Sequence, residues 1–272
     1  MKKYVLLLFL CNALLMLSFA GSLYGVETQP QASPTAVAAT PTPAAPTPTP
    51  VPMPDKWQKF WLDRVEEFKK ENAALPAGQK NIVFLGDSLT QGFKLKDYFP
   101  GLPVLNRGIV SDGVCNFPSA KLPWRGITHR LKECVNDCNP SHIFFLIGTN
   151  DVGMDTIPLE YWLGAYKFVI GQARRSFPEV KITLVTCPPT GLKYARHENL
   201  NKRLLLWNDL VRKTATEENC RLIDLYSLLV GKDGLMPEEM TRDGLHFNNL
   251  GYDRWAQKVR EILREDGVIK EQ

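Results

Sequence analysis

Short apolar runs alternate with amphipathic stretches along most of this 272-residue chain, and this alternation restricts its fold more than any other feature. Runs that are typical of buried strands occur at Asn81 to Leu85, Val104 to Asn106, His142 to Ile147, Lys181 to Thr186 and Arg221 to Leu225. The clearest amphipathic helices are predicted over Leu159 to Phe177, Glu198 to Asn219 and Leu250 to Glu265. Strands that alternate with helices pair in parallel through right-handed crossovers. The pattern therefore predicts an α/β domain with a doubly wound parallel sheet and helices on both faces.

The first residues of the chain have the features of an export signal. Lys2 and Lys3 precede an apolar run from Tyr4 to Leu17, and small residues around Ala20 suit signal peptidase. We predict a signal peptide over residues 1–20 and an exported domain that is periplasmic, cell-surface or secreted. Because the apolar stretch extends to Val26, an uncleaved membrane anchor with an extracytoplasmic domain is the alternative.

A segment rich in Pro, Thr and Ala follows and separates the signal from the folded domain. Such a composition over residues 21–54 builds no core and favours extended polyproline geometry. We predict a disordered linker that tethers the domain to a membrane or envelope through the N-terminus. The folded domain is expected over residues 55–272, because the apolar residues between Trp57 and Phe68 recur at helical spacing.

Charge and composition argue against several classes of partner. The net charge is only +4, and the basic residues are interleaved with acidic ones, so we expect no nucleic-acid partner. His129, His142 and His197 lack acidic neighbours at metal-ligand spacing, so we expect no metal and no cofactor. Cys134 and Cys138 are interpreted as small buried side chains in preference to a disulfide.

Polar residues follow the predicted strands, at the sheet edge where α/β proteins bind their ligands. Four groups stand out: Gly86 to Thr90, Asn106 to Gly108, Gly148 to Asp151, and Asp243 to Asn248 ahead of the last helix. The segment from Cys187 to Gly191 follows the fourth strand and is expected to form a rim of the same cleft.

These groups contain the parts of a nucleophilic serine site. A serine hydroxyl needs a base within hydrogen-bond reach, and the base needs a third group that fixes its tautomer. Ser88 lies at a strand-to-helix turn, His246 is the candidate base, and Asp243 is three residues before the histidine. The chain order Ser, Asp, His is an allowed one for such triads.

An oxyanion that forms during acyl transfer needs fixed hydrogen-bond donors. We predict three of them: the backbone N–H of Ser88, the backbone N–H of Gly108 and the side-chain amide of Asn150. Asp87 and Asp151 are interpreted as residues that brace their turns through backbone hydrogen bonds.

The groups GDSLT, NRG, GTND and DGLH together resemble the signature blocks of the SGNH, or GDSL-type, hydrolase family, over about Asn81 to Glu265. The lettered residues of that family match Ser88, Gly108, Asn150 and His246. The resemblance implies a flavodoxin-like three-layer fold with a five-stranded parallel sheet, and ester or thioester hydrolysis without a metal. Within the family, the spacing is similar to platelet-activating-factor acetylhydrolase catalytic subunits and bacterial carbohydrate esterases.

The expected activity is therefore that of an exported serine esterase that hydrolyses short acyl groups, above all acetyl, on a small-molecule or polysaccharide ester. A lysophospholipase or thioesterase for longer acyl chains is the enzymatic alternative. A catalytically silent glycan-binding module is the alternative from another class. The sequence leaves the natural ester and the oligomeric state open.

Overall fold

A five-stranded parallel sheet organises the part of the chain that the computed structural model describes, residues 55–116 and 125–270. The strands are β1 Asn81–Gly86, β2 Val104–Gly108, β3 Pro140–Leu146, β4 Lys181–Val185 and β5 Arg221–Ile223. Their order across the sheet is β2-β1-β3-β4-β5, and every neighbouring pair is parallel. This is the flavodoxin-like order, so the predicted fold class is confirmed.

Four long helices pack around the sheet: α1 Lys56–Ala73, α6 Leu159–Ser176, α7 His197–Glu217 and α9 Asn249–Glu265. The shorter ones are α2 Ser88–Gln91, α3 Leu95–Tyr98, α4 Leu131–Cys134, α5 Thr149–Val152 and α8 Leu225–Leu229. Short 3-10 turns cover Ile127–His129, Asn136–Cys138 and Glu238–Met240. The long elements match the sequence prediction to within a few residues. The short helices were not predicted because they are too brief to show a periodic pattern.

Aromatic side chains of the central strands show why both faces of the sheet are covered. Neighbouring strand residues point to opposite faces. Phe144 stacks on Phe84 at 4.9 Å between ring centroids, and Phe84 also meets Trp255 of α9. Phe145, the next residue of β3, stacks on Tyr166 of α6 at 4.4 Å. Helices α9 and α6 therefore cover opposite faces, and all six residues of β1 are buried between the two layers.

The predicted signal peptide over residues 1–20 and the linker over residues 21–54 lie outside the described residues and stay predictions. Within the described ranges, no helix has both the length and the apolarity that crossing a membrane requires. Helix α1 begins at Lys56, where the Asp55 side chain caps the helix by accepting hydrogen bonds from the N–H groups of Trp57 and Gln58 at 2.9 and 2.7 Å.

One fully buried ion pair fixes the carboxyl ends of β1 and β2. Arg130 Nε donates to Asp112 Oδ2 at 2.8 Å, and both side chains are inaccessible to solvent. The remaining guanidinium nitrogens donate to the carbonyl oxygens of Arg107 and Gly86 at 2.8 and 2.9 Å. The other Asp112 oxygen accepts from Trp61 Nε1 at 3.2 Å and from a backbone N–H. Arg130 thus joins both strand ends to the loop that follows β2.

Arg130→Met should destabilise the fold strongly, because the substitution leaves Asp112 as a buried carboxylate without its cation. Breaking a buried pair in this way costs about 3–5 kcal/mol. Urea unfolding followed by tryptophan fluorescence measures the loss.

Lys59→Met is the matched control, because it removes a cation from the exposed pair that Lys59 makes with Asp63 on α1. Exposed pairs contribute little, so its unfolding midpoint should stay close to that of the parent. Equal, small losses in both variants would contradict the role given to Arg130.

Candidate active site

The turn between β1 and α2 presents Ser88 at the start of a helix. Asp87 caps α2, because its Oδ1 accepts a hydrogen bond from the N–H of Leu89 at 3.0 Å. The preceding Gly86 has no room for a side chain, since a Cβ there would lie 2.2 Å from the carbonyl oxygen of Leu146. Ser88 is the first residue of α2, so its N–H has no acceptor within the helix.

The structure brings the three predicted triad residues into one hydrogen-bonded chain. Ser88 Oγ lies 3.1 Å from His246 Nε2, although 158 residues separate them in sequence. On the other side of the ring, His246 Nδ1 lies 2.8 Å from Asp243 Oδ2. A carboxylate only accepts hydrogen bonds, so Nδ1 carries the proton and Nε2 is the nitrogen that can accept from the serine hydroxyl.

Asp243 is held as a carboxylate by its own loop. Its Oδ1 accepts from the N–H groups of Leu245 and His246 at 2.9 and 2.7 Å. Partial burial alone would raise the pKa of Asp243, but the hydrogen bonds from His246 and Leu245 outweigh it and lower the pKa to about 2. Asp243 is therefore charged at neutral pH, where it can stabilise a positive charge on His246.

The loop that carries Asp243 and His246 is fixed from two sides. Thr241 Oγ1 accepts from the N–H of Gly244 at 2.9 Å and donates to the carbonyl oxygen of His246 at 2.9 Å. Gly244 has a φ of 85°, and a Cβ there would lie 2.4 Å from the backbone nitrogen of Tyr194. The N–H of Gly191 also donates to the carbonyl oxygen of Gly244 at 2.6 Å.

The segment expected to form a rim of the cleft, Cys187 to Gly191, is buried throughout and supports the histidine loop through the bond from Gly191 to Gly244. Asn201 and Asn208 of α7 hold its backbone by hydrogen bonds. Its role as a rim of the cleft stays a prediction.

Asn150 lies at the start of α5, directly after β3, as the motif predicts. Its Nδ2 donates to the carbonyl oxygen of Asp112 at 2.9 Å and lies 3.5 Å from Asp87 Oδ2. The first contact is a good hydrogen bond, whereas the second is at the limit of one. The amide is thus oriented by the loop after β2 and keeps one weakly engaged hydrogen.

The N–H of Gly108, which we predicted as a donor to the oxyanion, has a hydrogen-bond partner within the protein. Its N–H donates to Asn106 Oδ1 at 3.0 Å, so in this structure the group is not free for an oxyanion. The glycine itself is needed for packing, because a Cβ there would lie 2.2 Å from the backbone nitrogen of Gln91 in α2. Its role as a donor stays a prediction. Just beyond it, Ser111 has a φ of 59°, which is unusual for a residue other than glycine.

Buried charges behind the site were missed by the sequence analysis. Asp87, Asp112, Asp151 and Arg130 are almost fully buried, and Arg125 is 7% exposed. Burial raises the pKa of both Asp87 and Asp151 to about 7, while the nearby positive charge of Arg125 counteracts this rise. Single charged residues in a loop carry no pattern that distinguishes a buried position from an exposed one, so the sequence offered no signal for this cluster.

Asp87 braces its own turn, as expected, through the hydrogen bond from Leu89, whereas Asp151 binds the backbone of another loop. Asp151 Oδ1 accepts from the N–H of Val114 at 3.0 Å and so ties α5 to the loop after β2. Within the described residues, its Oδ2 has no hydrogen-bond partner. A buried carboxyl oxygen without a partner favours the protonated form, in agreement with the direction of the pKa shift.

Cys134 and Cys138 are both buried free thiols. Among residues 55–116 and 125–270, no group of His, Cys, Asp and Glu side chains is arranged to hold a metal ion. That the protein needs no metal and no cofactor stays a prediction.

Comparison with known proteins matches residues 84–254 to the GDSL-like Lipase/Acylhydrolase family. No curated protein sequence matches the chain. A solved structure from Streptococcus pneumonia, named for platelet activating factor, is 23% identical with a TM-score of 0.64, and the match covers 75% of this chain and 93% of that one. A GDSL-like lipase from Bacteroides thetaiotaomicron is 22% identical with a TM-score of 0.63, covering 74% and 98%. A carbohydrate acetylesterase family member from Sinorhizobium meliloti is 17% identical with a TM-score of 0.54, covering 69% and 98%.

The buried Asp151 makes stability depend on pH in a defined direction. Its pKa is about 7 in the folded protein against an ordinary value of 3.8, so the folded state binds the proton more strongly. Ionising Asp151 therefore costs stability progressively as the pH rises from about 4 to about 7. Asp151→Asn removes this charge, so the unfolding free energy of the variant should increase relative to that of the parent as the pH rises through this window. Urea unfolding at a series of pH values measures the difference.

Asp224→Asn is the control for this series. Hydrogen bonds from Arg212 and Ser227 outweigh partial burial and lower the pKa of Asp224 below its ordinary value of 3.8, and its partners Arg212, Ser227 and Thr186 do not titrate in this window. The stability difference between this variant and the parent should therefore stay flat between about pH 5 and pH 7. If the stability difference between Asp151→Asn and the parent were also independent of pH, the ionisation of Asp151 would not destabilise the folded protein.

Proposed function

The chain belongs to the GDSL-like lipase/acylhydrolase family and is an ester-hydrolysing enzyme, and from that premise we propose that it is an exported serine esterase that removes acetyl groups from a carbohydrate. The observation that carries the proposal is the chain of hydrogen bonds from Ser88 through His246 to Asp243. Such a chain activates a hydroxyl that is otherwise a weak nucleophile.

Acylation begins when Ser88 Oγ attacks the ester carbonyl carbon and His246 Nε2 takes the hydroxyl proton. The ring then carries a positive charge, which the ionised Asp243 stabilises across the 2.8 Å contact at Nδ1. Collapse of the tetrahedral intermediate breaks the bond to the alcohol oxygen, and Nε2 returns the proton to that oxygen. An acyl-serine remains.

Deacylation repeats the same steps with water. His246 takes a proton from the water, the hydroxide attacks the acyl carbon, and the bond to Ser88 Oγ breaks. Nε2 gives the proton back to the serine, and a carboxylic acid leaves. The only groups that move a proton are Ser88, His246 and the substrates, so Asp243 stays charged throughout.

The developing oxyanion would be bound by two donors that are available without rearrangement. The Ser88 N–H at the start of α2 is one, and the second hydrogen of the Asn150 amide is the other. That hydrogen makes only the 3.5 Å contact with Asp87, which an oxyanion replaces with a stronger, charge-assisted bond. The Gly108 N–H would join them only after releasing Asn106 Oδ1.

Two features support a short acyl group on a polar alcohol. A cavity between the end of α2 and the start of α9 is lined by the polar Lys94, Arg242, Asn248 and Asn249 together with Tyr98, Phe247, Leu250 and Tyr252, and such a mixed polar and aromatic lining suits a sugar. A carbohydrate acetylesterase family member also shares the fold. The predicted signal and linker would place the enzyme outside the cytoplasm, where such substrates are found.

Initial rates on 4-nitrophenyl esters of increasing chain length test the acyl preference. We expect the highest kcat/KM with acetate and a steep decline by octanoate, with Ser88→Ala as the inactive reference. A maximum at octanoate or longer would favour a lysophospholipase or thioesterase. A folded parent protein that hydrolyses none of the esters but binds glycans would favour the silent module.

Asn150→Ala should lower kcat by about a hundredfold or more, with less effect on KM, because the amide acts mainly on the oxyanion. Steady-state kinetics with 4-nitrophenyl acetate measure both constants. Gln257→Ala removes an exposed amide from α9, away from the site, and should leave kcat unchanged. A kcat for Asn150→Ala equal to that of the control would remove Asn150 from the oxyanion hole.

A further inference from the structure

Helix α2, which carries the proposed nucleophile, is a single turn of four residues, Ser88–Gln91. A helix this short has little stability of its own, because its last carbonyl groups lack partners within the turn. A continuing α-helix would give the Leu89 carbonyl the N–H of Phe93, four residues ahead. That N–H donates to the carbonyl oxygen of Thr90 at 3.0 Å instead. The Leu89 carbonyl therefore needs a partner from outside the helix.

A hydroxyl group from α9 is that partner. Tyr252 Oη donates to the Leu89 carbonyl oxygen at 2.9 Å, although 163 residues separate the two in sequence. Tyr252 is 6% exposed and Leu89 is 1% exposed, so little water reaches this bond. Burial raises the pKa of Tyr252, although the charge of Arg242 opposes the rise, so the hydroxyl is a proton donor at neutral pH. A buried carbonyl that lost this donor would be left unsatisfied.

The other carbonyl groups at the end of this turn are held by the sheet. Asn106 Nδ2, in β2, donates to the carbonyl oxygens of Thr90 and Phe93 at 2.7 and 3.0 Å. Asn106 therefore fixes α2 relative to β2. The bond from Tyr252 fixes α2 relative to α9, the helix that begins directly after the loop with the base.

The ring of Tyr252 also contacts the segment that carries the base. It meets the ring of Phe247, the residue after His246, edge to face at 5.3 Å between centroids. It stacks on the ring of Phe93, two residues beyond α2, at 5.0 Å. Such aromatic pairs have preferred geometries and so restrict how the segments can move. The turn with Ser88 and the loop with His246 thus both contact this one side chain.

Gly92 makes room for the hydroxyl. A Cβ at this position would lie 2.5 Å from Tyr252 Oη, which is a clash, and 3.5 Å from Cζ, which is ordinary contact. The carbonyl oxygen of Ser88 would lie at 3.3 Å, which is tight but not a clash. The φ of Gly92 is −72°, a value that any residue adopts. The space taken by the hydroxyl, and not the backbone conformation, therefore favours glycine here.

We propose that Tyr252 is a positioning residue that holds Ser88 and His246 at reacting distance. Its hydroxyl fixes the Leu89 carbonyl of α2, and its ring fixes Phe247 beside the base. The 3.1 Å contact between Ser88 Oγ and His246 Nε2 joins segments 158 residues apart, so it depends on such bridges. A misplacement of about 1 Å can lower a rate by about a hundredfold. The inference rests on the proposed function, because it concerns the serine mechanism of that site.

Tyr252→Phe removes the hydroxyl and keeps the ring. Its kcat on 4-nitrophenyl acetate should fall by about fivefold to thirtyfold, because Ser88 and His246 are no longer held together. KM should stay within about twofold of the parent value, because the lost hydroxyl is buried. Inactivation by phenylmethanesulfonyl fluoride should slow by a factor similar to that in kcat, since this reagent measures the reactivity of Ser88 without an ester substrate.

Tyr166→Phe is the matched control, because it removes a buried hydroxyl from α6, on the opposite face of the sheet. Within the described residues, this hydroxyl has no hydrogen-bond partner. Its kcat, KM and inactivation rate should equal those of the parent. Urea unfolding followed by tryptophan fluorescence shows that each variant is folded under the assay conditions.

Gly92→Ala tests the same contact from the other side. Its methyl group should displace the Tyr252 hydroxyl from Leu89 and lower kcat by a factor similar to that of Tyr252→Phe. In the Tyr252→Phe background the clashing oxygen is gone, so adding Gly92→Ala should lower kcat by no more than about twofold further. Two unrelated structural defects would instead multiply their effects.

A parent enzyme that hydrolyses the ester, with unchanged kcat and inactivation rate in Tyr252→Phe, would overturn the inference and leave the proposed function standing. Multiplied losses in the double variant would also overturn it. If Tyr252→Phe did not fold, Gly92→Ala would decide, and a parent-like kcat in that variant would reject the role of Tyr252. A folded parent that neither hydrolysed the ester nor reacted with the sulfonyl fluoride would end the proposed function and this inference together.

Discussion

The buried pair of Arg130 and Asp112 is the interaction on which the rest of the site depends. Two charges that are completely removed from water are tolerated only when every polar atom finds a partner. Arg130 meets this condition by bonding the carbonyl oxygens at the ends of β1 and β2, and Asp112 meets it by bonding Trp61 of α1 and a backbone N–H. Strand ends, loop and outer helix are therefore fixed relative to one another at the edge where the chemistry takes place.

The same pair sets the position of Asn150. The Asp112 carboxylate is bound by Arg130, and the Asp112 carbonyl oxygen accepts from the Asn150 amide at 2.9 Å. Asp151, the next residue, ties α5 to Val114 in the same loop. An amide that must point at an oxyanion is thus positioned by residues that never touch the substrate. Stability and catalytic geometry share one set of buried polar contacts, which is the arrangement that preorganised sites need.

The sequence predicted the strands, the long helices and the triad because each has a local signal. Hydrophobic periodicity predicts the strands and helices, and the residues that follow parallel strands lie at one edge of the sheet. Ser88 and His246 could therefore be assigned to one site from the sequence alone. The partners of Gly108 and the burial of Arg130 and Asp112 could not be predicted. They depend on which groups from distant segments pack together. The sequence around an arginine in a loop does not show whether its side chain is exposed or buried. The burial of Cys187 to Gly191 could not be predicted for the same reason, since it depends on contacts with α7.

Two aspartates close to His246 show how surroundings, and not residue type, assign roles. Asp87 precedes the nucleophile. Burial raises its pKa to about 7, although a positive charge on His246 lowers it, so at neutral pH Asp87 is only partly charged. Asp243 is half exposed, but hydrogen bonds from its own loop lower its pKa to about 2. Only the second can supply a permanent negative charge to an imidazolium. The pair of environments, with one carboxyl in a dry interior and the other in a hydrogen-bonded loop, separates the structural acid from the catalytic one.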